Sequence, residues 1–284
     1  MRYAVYVPNF GPFGDPRLLR DLAIEAESSG WDGFFLWDHL IADPPVADPW
    51  VALAAIASDT RTIRLGPLIV PLPRRRPWKV ALEAATLQQV SEGRLILGVG
   101  MGVPWDYERF GEPSDAASRA ARLEEGADLL RRLLAGERVD HRGPFYEARG
   151  MVLGRAEVPI WVGGFWPRRG PVHAARTADG VFPNIRDRGS ATGFRPPTLD
   201  EVADIRQHFV ASGGRSDADV ALMSVGAPPD IDVAAYELAG VTWWLETAWG
   251  TSLDDFRHKV QRGPADMNIR SATPNDGRQA RQIG

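Results

Sequence analysis

The sequence predicts an α/β protein, a (β/α)8 TIM barrel, on three observations. Eight short apolar runs recur along the 284-residue chain, amphipathic helical segments lie between them, and three runs end in chemically loaded corners: Trp37-Asp38-His39, Gly98-Val99-Gly100-Met101-Gly102 and Trp161-Val162-Gly163-Gly164. Strands alternating with longer helices indicate a parallel sheet. Eight such units close a barrel, whose reactive groups belong at the carboxyl ends of the strands.

The elements follow in order. Residues 3–7 form a β-rich first strand, and residues 16–29 place Leu18, Leu19, Leu22, Ala23 and Ala26 at helical spacing before Gly30 stops the helix. The next strands fall at 33–37, 63–70 and 95–99, with helices at 49–58 and 77–91 between them. After Gly102 an extended polar loop carries Trp105, Asp106, Glu108, Arg109 and Phe110, and a charged helix follows at 118–135. Loops of that length often cover a site. Strands five to eight are expected at 158–162, 180–183, 220–225 and 241–245, and a helix is expected to start at Pro171. Residues 183–197 are rich in Arg, Gly and Pro and read as a mobile loop or lid. Residues 263–284 are polar and unpatterned, a C-terminal tail, so that 1–262 make up the barrel domain.

Composition narrows the partners. With 33 basic and 37 acidic side chains the net charge is −4, and no basic stripe invites nucleic acid or an anionic membrane. A small-molecule substrate is expected instead. No apolar stretch is long enough to span a bilayer and no secretory signal precedes the first strand, so the cytoplasm is the expected location. The chain has no cysteine, which excludes disulfides, thiolate metal sites and a cysteine nucleophile. Its five histidines show no paired metal-ligand spacing, and no metal is expected.

Three groups of residues carry chemistry. His39, beside Asp38 at the end of strand two, is placed to exchange a proton near neutral pH, with a neighbouring carboxylate to orient it. The bland alternative is a capping aspartate and a histidine filling a polar corner. Gly98, Gly100 and Gly102 strip side-chain bulk from one face, so a flat ring or phosphate can come close. G-x-G-x-G is not the dinucleotide fingerprint G-x-G-x-x-G. Gly163-Gly164, followed by Phe165 and by Arg168 and Arg169, suits an anionic oxygen cluster, the lesser alternative being a tight turn with solvated arginines. Arg74, Arg75 and Arg76 form a second basic knot, a pattern more often found on solvated surface. Trp37, Trp105, Trp166, Trp243, Trp244 and Trp249 fall near strand ends, where aromatic walls exclude water, although ordinary core packing claims many tryptophans. Glu246, after strand eight, is a further polar candidate.

Together, residues 22–34 leading into Asp38-His39, residues 94–100 and 159–164, and Ala178-Asp179-Gly180 resemble the bacterial luciferase-like family of flavin- and deazaflavin-dependent oxidoreductases. The Asp-His pair resembles the branch that uses the deazaflavin coenzyme F420, where the histidine lies beside the ring and serves in proton transfer. The resemblance implies that role for His39, a place near the cofactor for Asp38, a bulged non-proline cis peptide at Leu68-Ile69, and cofactor contacts from Gly100, Gly102, Gly163, Gly164 and Phe165. It departs from the family's sugar-phosphate dehydrogenases at Val103, where they carry a glutamate. A pocket walled by Trp37, Val103, Trp105 and Trp243, with Glu246, favours a more apolar substrate. The expected activity is hydride transfer between F420 and a small, largely apolar organic molecule, in a homodimer of the kind common in the resembled family. The alternatives are an FMN-dependent monooxygenase and a non-catalytic flavin-binding barrel.

Overall fold

Aspartate–proline pairs open the first two helices. In the computed structural model, which describes residues 1–40, 42–167, 174–228 and 230–265, Asp15 accepts from the N–H of Arg17 at the start of α1 (Pro16–Ser28), after β1 (Arg2–Val7). Asp48 accepts from Trp50 and Val51 at the start of α2 (Pro49–Asp59), after β2 (Gly33–Leu36). In each, proline occupies the first helical position, where a missing N–H costs nothing.

The third strand is broken. β3 (Arg64–Pro67) and β4 (Val70–Pro71) are separated by Leu68 and Ile69, whose peptide bond is cis. The cis peptide lies where the resemblance implies it, and it divides the strand expected at 63–70 in two. Then come α3 (Pro77–Val90) and β5 (Leu97–Gly100). The expected extended loop after strand four contains one helical turn, α4 (Trp105–Glu108), before α5 (Ala116–Leu134). An antiparallel pair, β6 (Val139–Arg142) and β7 (Glu147–Met151), lies outside the barrel; its exposed, charged residues carry no apolar signal.

β8 (Ile160–Trp166) and β9 (Gly180–Arg186) both run further than their apolar runs suggest. β10 (Phe194–Arg195) folds back antiparallel on β9, so the stretch expected to be a lid holds the end of a strand and its return. The remaining elements are α6 (Leu199–Ala211), opened by a reciprocal Thr198–Glu201 cap, β11 (Asp219–Met223), α7 (Val233–Leu238), β12 (Trp243–Thr247) and α8 (Leu253–Arg262). The helix expected from Pro171 starts outside the described residues, and Ala175–Thr177 forms a short 3-10 turn. Of the tail expected at 263–284, residues 266–284 also lie outside them.

The parallel strands run in the order β3, β2, β1, β12, β11, β9, β8, β5, β4. A bridge from Leu65 to Leu95 and the β4–β5 pair close the cylinder. Below the closure, the buried Arg94 guanidinium donates to the carbonyls of Ala57, Thr60, Ile63 and Ser91 and to the Thr60 hydroxyl, tying the ends of α2 and α3 to the sheet. One apolar cluster lies between sheet and helices. A second fills the barrel itself: Phe35, Trp161 and Trp243, each fully buried, pack ring against ring at centroid distances of 5.5–5.9 Å. That aromatic plug is the floor on which the site rests.

Candidate active site

Above the plug the strands' carboxyl ends surround a cavity that opens to solvent, the place where a barrel of this kind carries its reactive groups. Tyr6, Trp37, Asp38 and His39 line it from the first two strands, Leu68, Ile69 and Pro71 from the third, and Met101, Gly102, Val103 and Asp106 from beyond β5. Gly163, Gly164, Phe165, Asn184, Phe194, Met223 and Trp249 complete the wall.

His39 is held by its backbone as well as its ring. The buried Asn9 amide donates to the His39 carbonyl at 3.0 Å and accepts from its N–H at 3.2 Å. The rings of Phe10 and Trp37 stand edge-on to the imidazole, each 5.8 Å away. Nδ1 lies 3.1 Å from Oδ2 of Asp106, a carboxylate on α4 with almost no solvent exposure.

Asp38 does something else. Its carboxylate accepts from Arg75 at 2.7 and 2.9 Å and from Arg74 at 3.1 Å. Arg74 also places Nη1 3.2 Å from Asp106. Burial pushes the Asp38 carboxyl above its usual range, and the charges of Arg75 and Arg74 pull against that rise. With both carboxylates ionised the two guanidiniums balance them, and a protonated His39 would add one net positive charge. Two of the three arginines read as a basic knot are thus structural counter-ions. Their acidic partners lie more than 30 residues away in the chain, and no local pattern announces them.

The Leu68-Ile69 corner is built from three sides. The buried Tyr6 hydroxyl donates to the Leu68 carbonyl at 2.7 Å, and burial drives its phenol pKa far up. A methyl added at Gly98 would meet Leu68 and Ile69 side-chain atoms at 2.4 and 3.1 Å, one at Gly100 would meet Ile69 at 2.6 Å, and one at Gly163 would meet it at 2.8 Å. The glycines on β5 and β8 therefore make room for protein. The reading of Gly98 and Gly100 as a face open to a ring is corrected accordingly, and Gly100 does not line the cavity. Gly102, with φ +64°, presses on Pro71, where a Cβ would come within 2.6 Å.

Three expected pocket residues lie elsewhere. Trp243 and Leu245 face the barrel interior, so alternation along β12 turns Trp244 and Glu246 outward. Trp243 is level with Arg2 at the amino end of β1, in the floor, and Glu246 pairs with Lys259 on α8. Trp105 is about half exposed on α4, whose neighbouring Asp106 points inward. Arg168 and Arg169 lie outside the described residues. Conversely, Asn9, Tyr6, Asn184, Phe194 and Met223 emerge only in three dimensions. Among the described residues no cluster of three His, Cys, Asp or Glu is placed to hold a metal, and no helix is long and apolar enough to cross a membrane.

One family model matches nearly the whole chain. The family model described as "Luciferase-like monooxygenase" matches residues 1–280. A curated F420-dependent glucose-6-phosphate dehydrogenase of Nakamurella multipartita is 30% identical over 233 residues, covering 73% of this chain and 67% of that one. The chain thus spans about two thirds of that relative's length. Among solved structures, an F420-dependent secondary alcohol dehydrogenase in complex with an F420-acetone adduct superposes with TM-score 0.74 at 16% identity, over 96% of this chain and 99% of the other. The monooxygenase RslO1 from Streptomyces bottropensis gives 0.65 at 23% identity, over 78% and 70%. At these identities the superpositions speak for the fold.

Proposed function

The chain belongs to the luciferase-like monooxygenase family, and from that premise we propose that it is an oxidoreductase exchanging hydride between coenzyme F420 and a small, uncharged, largely apolar substrate, with His39 moving the matching proton. The observation that carries the proposal is His39 on the wall of an otherwise largely apolar cavity, backed by the buried carboxylate of Asp106. The residues fit a flat heterocycle. Tyr6, Leu68, Ile69 and Met223 offer apolar surface, and the buried Trp37 Nε1–H has no hydrogen-bond partner among the described residues. A ring oxygen or nitrogen would supply the missing acceptor.

When bound, the coenzyme would supply a two-electron hydride acceptor or donor. The chain's part is to hold, exclude water and move one proton. In alcohol oxidation the carbinol C–H electron pair departs as hydride, the hydroxyl proton passes to the imidazole, and the C=O bond forms. Reduction of C=O, C=N or C=C reverses both transfers.

The lining argues for an uncharged substrate. No Lys or Arg among the described residues lines the cavity: Arg74 and Arg75 face Asp38, and Arg186 stacks on Phe165 at 4.3 Å. A phosphorylated sugar, the substrate named for the Nakamurella relative, would meet no cation among the described lining residues, and Val103 adds only apolar surface. Phe165, Phe194 and Trp249 form an aromatic wall in its place, with centroids 6.2 and 5.6 Å apart. The proposal includes a homodimer. The α2 sequence is apolar on almost every side, yet Val51 stands largely exposed, as a helix awaiting a partner does.

Parallel titrations with F420, FMN and NADPH, read by tryptophan fluorescence, test the cofactor. Saturation at the lowest concentration by F420, followed by turnover of uncharged alcohols or ketones, is the expected result. Preference for FMN would assign monooxygenase chemistry, and turnover of a sugar phosphate would overturn the substrate class. Light scattering giving the mass of a single chain would remove the dimer.

A further inference from the structure

We infer that Asp106, and not the adjacent Asp38, orients His39 and decides which ring nitrogen carries its proton. This rests on the proposed role of His39 in proton transfer.

Asp38 is adjacent in sequence but engaged elsewhere, with both oxygens taken up by Arg75 and one also by Arg74. Asp106 reaches the imidazole from a separate element, and the element is anchored. The Tyr107 hydroxyl donates to the Met101 carbonyl at 2.8 Å, Arg119 donates from α5 to the Gly102 carbonyl at 2.8 Å, and Gly102 packs on Pro71. A carboxylate held on so short a helix has little freedom to follow the ring, so the ring follows it.

The direction of the hydrogen bond follows from charge. Arg74 lies 3.2 Å from the same Asp106 oxygen that meets His39. A guanidinium there favours the ionised carboxylate, and an ionised carboxylate can only accept. Nδ1 must then carry the hydrogen, which leaves the lone pair on Nε2, at the ring's far edge. Nε2 is the atom that takes the substrate's hydroxyl proton, and the resulting imidazolium faces Asp106 across 3.1 Å. Arg74 serves a second purpose: it disfavours passage of the proton from imidazolium to carboxylate. Among the described residues, the charged groups around the ring are Asp106 on α4, Arg74 behind it, and Asp38 with Arg75 at the base of the loop. The other flanks are the apolar rings of Phe10 and Trp37. Asp106 is a positioning residue, acting through His39.

Nitrogen NMR of the protein labelled with ¹⁵N-histidine, without coenzyme and above neutral pH, tests this directly, with His39→Gln assigning the resonance. The expected neutral tautomer is Nδ1–H, the minor form of free imidazole. Asp106→Asn should lose that signature and, in F420-linked turnover, lower kcat about 100-fold with little change in KM, in line with the 10²–10⁴ span of general acid–base effects. Asp106→Glu should restore the tautomer and part of the rate. An Nε2–H tautomer in the unaltered protein, or an Nδ1–H tautomer that survives Asp106→Asn and disappears in Asp38→Asn, would overturn the assignment. Because the tautomer is read without coenzyme, F420 failing to bind would sink the proposed function and leave this result standing.

Discussion

The barrel's floor and its mouth are built from the same strands and solve opposite problems. At the floor, Phe35, Trp161 and Trp243 fill the cylinder with aromatic volume, with the Arg2 guanidinium packed over the Trp243 ring at 5.1 Å. At the mouth, a few residues further along, Asp38, Arg74, Arg75, Asp106 and His39 hold a balanced set of charges around a cavity. The indole nitrogens sharpen the contrast. Trp161 and Trp243 in the floor and Trp37 at the mouth all have buried N–H groups without partners among the described residues. Below, that is a cost borne for packing volume; above, it is a donor available to a ligand. The same unsatisfied group therefore means different things at the two ends, and only its distance from open space tells them apart.

Substitutions separate the two ends. Trp161→Ala should cost about 3–5 kcal/mol of stability, the usual range for emptying a buried tryptophan site. Trp161→Phe, which keeps most of the volume and removes the unpaired N–H, should cost far less, and denaturant unfolding measures both. If Trp161→Ala proved harmless, the floor would not be the load that keeps the cylinder shut. At the mouth, His39→Ala should leave the unfolding midpoint nearly unchanged and lower kcat by about 10²-fold or more, the scale of a lost acid–base group. An equal loss in both measurements would erase the division of labour. Phe194→Ala, in the wall above the cavity, should raise KM for an apolar substrate about tenfold, the equivalent of roughly 1.4 kcal/mol, without moving the pH profile.

The smallest effect lies at neither end. Burial raises the Glu27 carboxyl, but the N–H groups of Thr62, Ile63 and Arg61 that it accepts outweigh this and hold its pKa below the usual range. A carboxyl depressed in the folded state adds stability above its unfolded pKa and loses it as pH falls through the folded value. Glu27→Gln keeps an acceptor and loses the charge, so acid unfolding should become slightly less steep below about pH 4, where an unperturbed glutamate titrates. Urea midpoints at neutral and acidic pH read the difference.

The floor was more legible from sequence than the mouth, for physical reasons. All eight barrel strands fall on apolar runs because a strand buried on both faces needs them. β6 and β7 escaped because neither face is deeply buried. His39 stood out as an imidazole at a strand end, yet its orienting carboxylate lies 67 residues on. Arg74 and Arg75 read as solvated surface because a run of arginines gives no sign of the aspartates that neutralise them. Trp243 and Glu246 were displaced by register: the apolar run Val241 to Leu245 begins before the strand does, so its residues sit lower in the cylinder than the run suggests.

Ile69 offers a handle for redesign. Its side chain borders the cavity while its far side rests in the space that Gly100 and Gly163 leave. Trimming it to valine or alanine should deepen the chamber from within and admit bulkier molecules without shifting a strand. Enlarging either glycine instead would drive the isoleucine into the opening. Directed evolution toward larger guests is thus best started at this isoleucine, with the two glycines left untouched.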